Sequence, residues 1–349
     1  MNWIKSPCPV LDESFKQAAI ERQGQLTKPP RALGELEDIA IRMAYIQQLH
    51  KPSADNPAIA VFAADHGVAE EGVSAFPQEV TVQMVMNFLQ GGAAISVMAN
   101  RLNAPLEIVD VGILTELPAH KGLVIQRAAA GTANSANEAA MTEEQLQLAL
   151  KAGYDAVERV IDTGADIFIG GEMGIANTTA ASALYSALLG ITPDQATGAG
   201  TGLDDKGIQH KISIVKKILA KHEDCGNNAL EWLRCAGGFE IVALTGAYIR
   251  AVQCRLPVLV DGFISSVAAL CAVRIQPDVN EYLFFSHVSA EQGHRLVLET
   301  LGHKPLLDLG MRLGEGSGAV VAVSLLQSAC ALHTQMATFA EAAVATKKQ

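Results

Sequence analysis

Short runs rich in valine, isoleucine and phenylalanine recur along this chain with helix-length stretches between them. That alternation is the pattern of parallel strands joined by crossover helices. The runs lie at 58–63, 106–111, 166–169, 257–260, 282–285 and 305–309. Between them, apolar spacing predicts helices over 78–99 behind Pro77, 143–161 behind a Thr142…Gln145 capping box, 206–221 and 239–252. In open sheets of this kind ligands bind outside the carboxyl ends of the strands, so the residues that follow each run matter most. They read Ala64-Asp65-His66-Gly67, Asp110-Val111-Gly112, Gly170-Gly171-Glu172-Met173-Gly174, Asp261-Gly262, Ser286-His287-Val288-Ser289 and Gly310…Gly314-Glu315-Gly316. Nearly every end carries glycine beside a polar or charged residue.

The expected fold class is α/β, a doubly wound, mainly parallel Rossmann-like sheet with helices on both faces plus a small helical subdomain from the chain termini. With 349 residues the chain holds about two domains, or one large domain with an appendage. We expect a large domain over 55–310 and a smaller helical unit from 1–54 and 311–349, with 35–49 its best helix and 336–349 a terminal helix fraying at Lys347 and Lys348. The formal charge of −11 argues against a nucleic-acid partner. The apolar run from Gly316 to Leu332 is shorter than a bilayer requires and reads as a buried helix, so no membrane association is expected. The first residues lack a signal-peptide pattern, and the six cysteines are scattered without a CxxC pair, as in a reduced cytoplasmic protein. The nine histidines show neither HxH nor HExxH spacing, and His66 reads as a loop-shaping residue rather than a metal ligand.

Four segments carry chemistry. The run 166–169, its glycine turn and the Ala-rich stretch behind it form a strand, a turn and a helix start. Free N–H groups and the positive helix end favour a phosphate there, with Gly174, Asn177 and Thr178 as contacts or simply as caps. Glu172 sits inside this turn with no structural need. A second glycine loop contains Gly200, Thr201 and Gly202 but puts Leu203 where a dinucleotide fingerprint needs its third glycine. It leads into Lys206 and Lys211, which read equally as phosphate contacts or as a solvated helix face, while Asp204 and Asp205 suit a helix cap. Asp261 ends a strand alone, since Gly262 stands where a magnesium-pyrophosphate donor would need a second acid; it reads as a ribose contact or a helix cap. Glu315 lies among glycines directly before an apolar helix. The helix end favours its anion, apolar neighbours such as Leu313 oppose it, and the outcome is a general base near neutrality or an N-terminal cap. The stretch 72–88 offers a flat apolar surface suited to an aromatic heterocycle, although Met84 and Phe88 also fit helix-core packing.

Taken in order, these segments resemble the nicotinate-nucleotide–dimethylbenzimidazole phosphoribosyltransferases of cobalamin nucleotide-loop assembly. The resemblance rests on Ala64-Asp65-His66-Gly67-Val68, the stretch 72–81, the stretch 171–179, Gly200-Thr201-Gly202-Leu203-Asp204-Asp205, Asp261-Gly262-Phe263-Ile264 and the stretch 307–316, which together span nearly the whole chain. It implies transfer of the phosphoribosyl group of nicotinate mononucleotide to a ring nitrogen of 5,6-dimethylbenzimidazole with inversion at C1′, giving α-ribazole 5′-phosphate and nicotinate. By resemblance Glu315 is the base and Glu172 a supporting acid near the ribose. The phosphate falls among Gly174, Gly202, Lys211 and Ser289, and the heterocycle among Ser74, Gln83, Met173 and Leu313. Neither metal nor other cofactor is implied, and a homodimer is. The family often carries arginine where this chain has Ala199, which takes one phosphate contact or loop anchor out of that loop. A nucleotide hydrolase or a binding module with a decayed site are the other readings, and intact Glu172 and Glu315 argue against decay.

Overall fold

The computed structural model describes residues 2–200 and 202–345; Thr201, expected at the phosphate, and Lys347 and Lys348, expected to fray, lie outside the described residues. Six strands form one all-parallel sheet: β1 (Pro57–Ala64), β2 (Leu106–Gly112), β3 (Leu123–Ile125), β4 (Ile167–Met173), β5 (Val258–Val260) and β6 (Leu283–Phe285). Their order is β3-β2-β1-β4-β5-β6, that of a doubly wound sheet. In register, Val61 of β1 stands between Ile108 of β2 and Gly171 of β4, and Gly170 of β4 pairs with Val260 of β5. Because all strands point the same way, their carboxyl ends and the loops beyond them gather along one edge. Every residue of β1, β5 and β6 is buried, as expected for a sheet covered by helices on both faces.

Several expected elements change. The run at 305–309 makes only an isolated parallel bridge, His287 to Leu307, and the sixth strand is instead β3, a three-residue piece at the sheet's edge. The single helix expected over 78–99 is two, Glu79–Gln90 and Ala94–Leu102, because Gly91 adopts φ 82° and ends the first one. The capping box at Thr142 forms as read and starts the helix Glu143–Asp162. The apolar run reaches further than expected and becomes the 19-residue helix Ser317–Gln335, long and apolar enough to cross a membrane but packed largely inside the protein. Beyond it, residues 336–345 do not continue as a helix; Thr338 bridges antiparallel to Leu26.

The helices Glu13–Gln25 and Glu35–Gln47 pack together, and the second packs on Ser317–Gln335. Arg22 closes the carboxyl end of Ser317–Gln335 by donating from Nε to the His333 carbonyl at 2.6 Å and from Nη2 to that of Thr334 at 3.2 Å. The amino end of this helix points at the loops that follow β4 and β5, which places the residues before it beside the sheet's carboxyl edge.

Candidate active site

A cavity of about 440 Å³ opens at the carboxyl ends of β4, β5 and β6. Glu172, Gly174, Asn177 and Thr178 reach it from the end of β4 and the helix Asn177–Leu189, Asp261 from β5, and His287, Ser289 and Glu291 from β6. Gly200 and residues 312–315 close it, and Phe76, Val80 and Met84 form an apolar wall with Met173 and Leu313. The sheet thus brings into one place residues separated by more than two hundred positions in the chain.

Glu315 is held in a demanding backbone conformation. Gly314, Glu315 and Gly316 have φ values of 86°, 66° and 89°, three left-handed residues in succession. Glycine adopts this freely, whereas a glutamate there costs about 1 kcal/mol or more, a cost borne for the position of its side chain. That side chain is buried, and Oε2 accepts the backbone N–H of Ile95 at 3.3 Å. Ile95 lies in the first turn of Ala94–Leu102, whose N-cap residue Ala93 provides no side-chain cap. The helix end that favours the Glu315 anion is therefore this one, not the helix that follows Glu315 in sequence. Burial pushes its carboxyl above the usual range, and the bond from Ile95 partly opposes that rise.

The helix after Glu315 is capped by Asp261, whose Oδ1 accepts from Ala319 N at 2.9 Å and whose Oδ2 accepts from Gly316 N at 3.2 Å. Asp261 is thus a helix cap across the fold as well as part of the cavity wall. Burial raises its carboxyl to about 6, against the pull of these backbone donors. Glu172 is buried as well. Its Oε2 accepts from Asn177 Nδ2, and its carboxylate also receives the backbone N–H of Glu315. Burial first, then the nearby Glu240 and Asp261 carboxylates, raise it to about 8. The approach of the two loops depends on absent side chains: a Cβ at Gly171 would lie 2.2 Å from the Glu315 carbonyl oxygen, and one at Gly314 would lie 2.4 Å from Glu172 Oε1.

Lys211 is almost fully buried and does not itself line the cavity; it stands behind the lining residue Thr178, to whose Oγ1 its Nζ donates at 2.6 Å. The solvated-face reading therefore holds for exposed Lys206 but not for Lys211. Burial lowers the Lys211 ammonium to about 8, while the Glu291 carboxylate works in the other direction. Ser289 is buried, and its Oγ accepts the Glu291 N–H at 3.2 Å. Gly202 is exposed and does not line the cavity, and Asp204 caps the helix Asp205–Lys221 through the Gly207 N–H.

Of the residues expected around the heterocycle, Met84, Met173 and Leu313 line the cavity, whereas Ser74 and Gln83 do not. Gln83 is exposed on the helix Glu79–Gln90, and Ser74 Oγ accepts the Phe76 N–H at 3.2 Å within a turn. Phe76, Glu291 and Arg312 are cavity residues that sequence reading did not single out; Phe76 and Arg312 lie inside the stretches 72–81 and 307–316, whereas no motif marks Glu291. Nor does any local pattern reveal Glu240, which pairs with His66 at 2.7 Å in the interior and adds its charge to the environment of Glu172.

Residues 8–344 match a family described as phosphoribosyltransferase. The chain is 55% identical over 348 residues, 99% of this chain and 98% of the relative, to the nicotinate-nucleotide–dimethylbenzimidazole phosphoribosyltransferase of Pseudomonas fluorescens SBW25. It is 53% identical, with the same coverage, to the protein of that name in Pseudomonas putida KT2440. Among solved structures, CobT from Thermus thermophilus superposes with a TM-score of 0.93 at 47% identity, covering 96% of this chain and all of that one. A second crystal structure from the same organism, described as the nicotinate-nucleotide–dimethylbenzimidazole enzyme, superposes with a TM-score of 0.92 at 46% identity, with the same coverage.

Proposed function

The chain belongs to the nicotinate-nucleotide–dimethylbenzimidazole phosphoribosyltransferase family, and from that premise we propose how its own residues carry out the reaction. It transfers the phosphoribosyl group of nicotinate mononucleotide to 5,6-dimethylbenzimidazole in the synthesis of the lower ligand of cobalamin. The observation that carries the residue assignment is the pairing of two buried carboxylates, Glu172 and Glu315, beside an apolar wall built from Phe76, Met84, Met173 and Leu313.

The heterocycle lies against that wall with its ring N–H toward Glu315. Glu315 takes this proton, and the freed nitrogen pair forms a bond to C1′ as the C1′–N bond to the pyridinium ring breaks, its electrons leaving with nicotinate. Attack opposite the leaving group turns a β-linkage into an α-linkage. Positive charge that builds on the ribose in this step is met by Glu172, whose carboxyl is raised by burial to about 8 and whose ionised form a nearby cation favours. The leaving group already carries its positive charge, so its departure needs no further activation. The 5′-phosphate is held by Lys211, Thr178, Gly174, Gly200 and Ser289, and Asn177 orients Glu172. Asp261 contacts the ribose while capping its helix.

In this reading residues 55–310 form the large domain and bind both substrates, while 1–54 and 311–349 form the smaller unit that brings Glu315 to them. The enzyme is cytoplasmic and works as a homodimer, as the family resemblance implies. Incubation with nicotinate mononucleotide, with and without 5,6-dimethylbenzimidazole, tests the chemistry. α-Ribazole phosphate forms only when the base is present; equal release of nicotinate in both tubes would establish a hydrolase instead.

A further inference from the structure

The glycine loop beside Lys211 is gripped from two sides. The Gly200 N–H donates to Glu291 Oε2 at 3.3 Å, and the Gly200 carbonyl accepts from Arg312 Nη1 at 3.2 Å. Glu291 comes so close that a Cβ at Gly198 would lie 2.4 Å from its Oε2. From the helix below, Lys211 Nζ approaches the same peptide, 3.1 Å from where a Gly200 Cβ would stand. A carboxylate and a buried ammonium thus face each other across Gly200. A buried ammonium without an opposing charge is costly, and Lys211 otherwise has the neutral Thr178 hydroxyl as its partner. Glu291 supplies that charge at the place where the nucleotide's phosphate is to bind.

The surroundings of Glu291 also give it somewhere else to go. The residue is half-buried on the segment after β6, and this segment separates the active-site cavity from a second cavity of about 420 Å³. Ser289 and Glu291 line both cavities, and Arg295, exposed to solvent, lines the second. A turn of the Glu291 side chain from one cavity into the other takes its charge away from Lys211 and towards Arg295, which is itself paired with Asp308 at 2.9 Å.

We propose that Glu291 is a resident counter-anion for Lys211, displaced into the neighbouring cavity when the phosphate of the nucleotide enters. This deepens the assignment of Lys211 to the phosphate and rests on it. An entering phosphate then competes with a carboxylate already in place, so Glu291 sets the affinity of the site for phosphorylated ligands and prevents a weaker anion from occupying it. The charge is what matters here, more than the hydrogen bond to Gly200, and a glutamine separates the two because it keeps an acceptor oxygen.

The test compares steady-state kinetics of the parent, Glu291→Gln, Lys211→Met and the double variant at saturating 5,6-dimethylbenzimidazole, with inorganic phosphate as a competing anion. In Glu291→Gln the KM for nicotinate mononucleotide and the inhibition constant for inorganic phosphate both fall, by about fivefold. In the Lys211→Met background the Gln substitution changes neither. An unchanged or increased KM in Glu291→Gln, with Lys211→Met raising KM, overturns the counter-anion role and leaves the phosphate assignment standing. If Lys211→Met leaves KM unchanged, the phosphate assignment fails and the counter-anion role falls with it.

Discussion

In the proposed mechanism Glu315 takes up a proton, and its surroundings favour either state in part: the Ile95 N–H favours the anion and burial favours the acid. Replacing it with glutamine keeps the shape and removes the basicity, so turnover falls at least about a hundredfold while nucleotide binding, measured by calorimetry, persists. Glu172 makes a prediction about stability. Its folded value of about 8 stands above the ordinary 4.5 of the unfolded chain. Below 4.5 both states hold the proton, between the two values only the unfolded state has released it, and above 8 both have. Stability therefore falls as pH rises through that window and then levels off. The Tm advantage of Glu172→Gln over the parent is accordingly larger at about pH 8.5 than at about pH 5, by roughly 3 °C or more in thermal unfolding. The carboxylates themselves were legible in the sequence because each sits among glycines at a strand end or helix start. Their partners were not: Glu240 belongs to an ordinary helix, Glu291 to an ordinary loop, and Ile95 lies 220 residues from the carboxylate it contacts.

At the scale of elements, the site depends on how closely the loop before Ser317–Gln335 approaches β4. Gly171 permits this approach. Its replacement by alanine places a methyl 2.2 Å from the Glu315 carbonyl oxygen and 2.6 Å from its carbonyl carbon, so the loop must retreat. The expected result is a loss of about 1–3 kcal/mol in denaturant unfolding and about a hundredfold in kcat, because the base is displaced from its proton. The strands that sequence reading located are those buried on both faces, where the apolar run is continuous. It missed β3 because three residues with Ile125 exposed leave almost no pattern, and it overread 305–309, where a similar run pairs at a single position. The break at Gly91 was visible as the pair Gly91-Gly92, but apolar periodicity on both sides concealed it.

For the molecule as a whole, the helix Glu13–Gln25 meets the end of Ser317–Gln335 and the segment after it, at the opposite end of that helix from the cavity. Arg22 satisfies two carbonyls at the last turn of Ser317–Gln335, and Phe339 N donates to the Gln25 carbonyl at 2.9 Å nearby. Arg22→Ala leaves those helix carbonyls unpaired and costs about 1–3 kcal/mol of stability in denaturant unfolding. The α/β class and the position of the site at the carboxyl edge could be read from alternation alone. The meeting of Glu13–Gln25 with the end of Ser317–Gln335 could not, since it depends on a side chain bonding backbone carbonyls more than three hundred residues away.

Asp261 and Glu315 each finish a helix that begins somewhere else in the chain. In a lineage of such proteins this ties inheritance of the acids to survival of the fold. A duplicated gene no longer selected for the reaction still cannot discard either residue without unsettling a helix. These acids should therefore outlast the activity, and in a distant descendant their presence would testify first to a shared architecture and only then to a shared reaction.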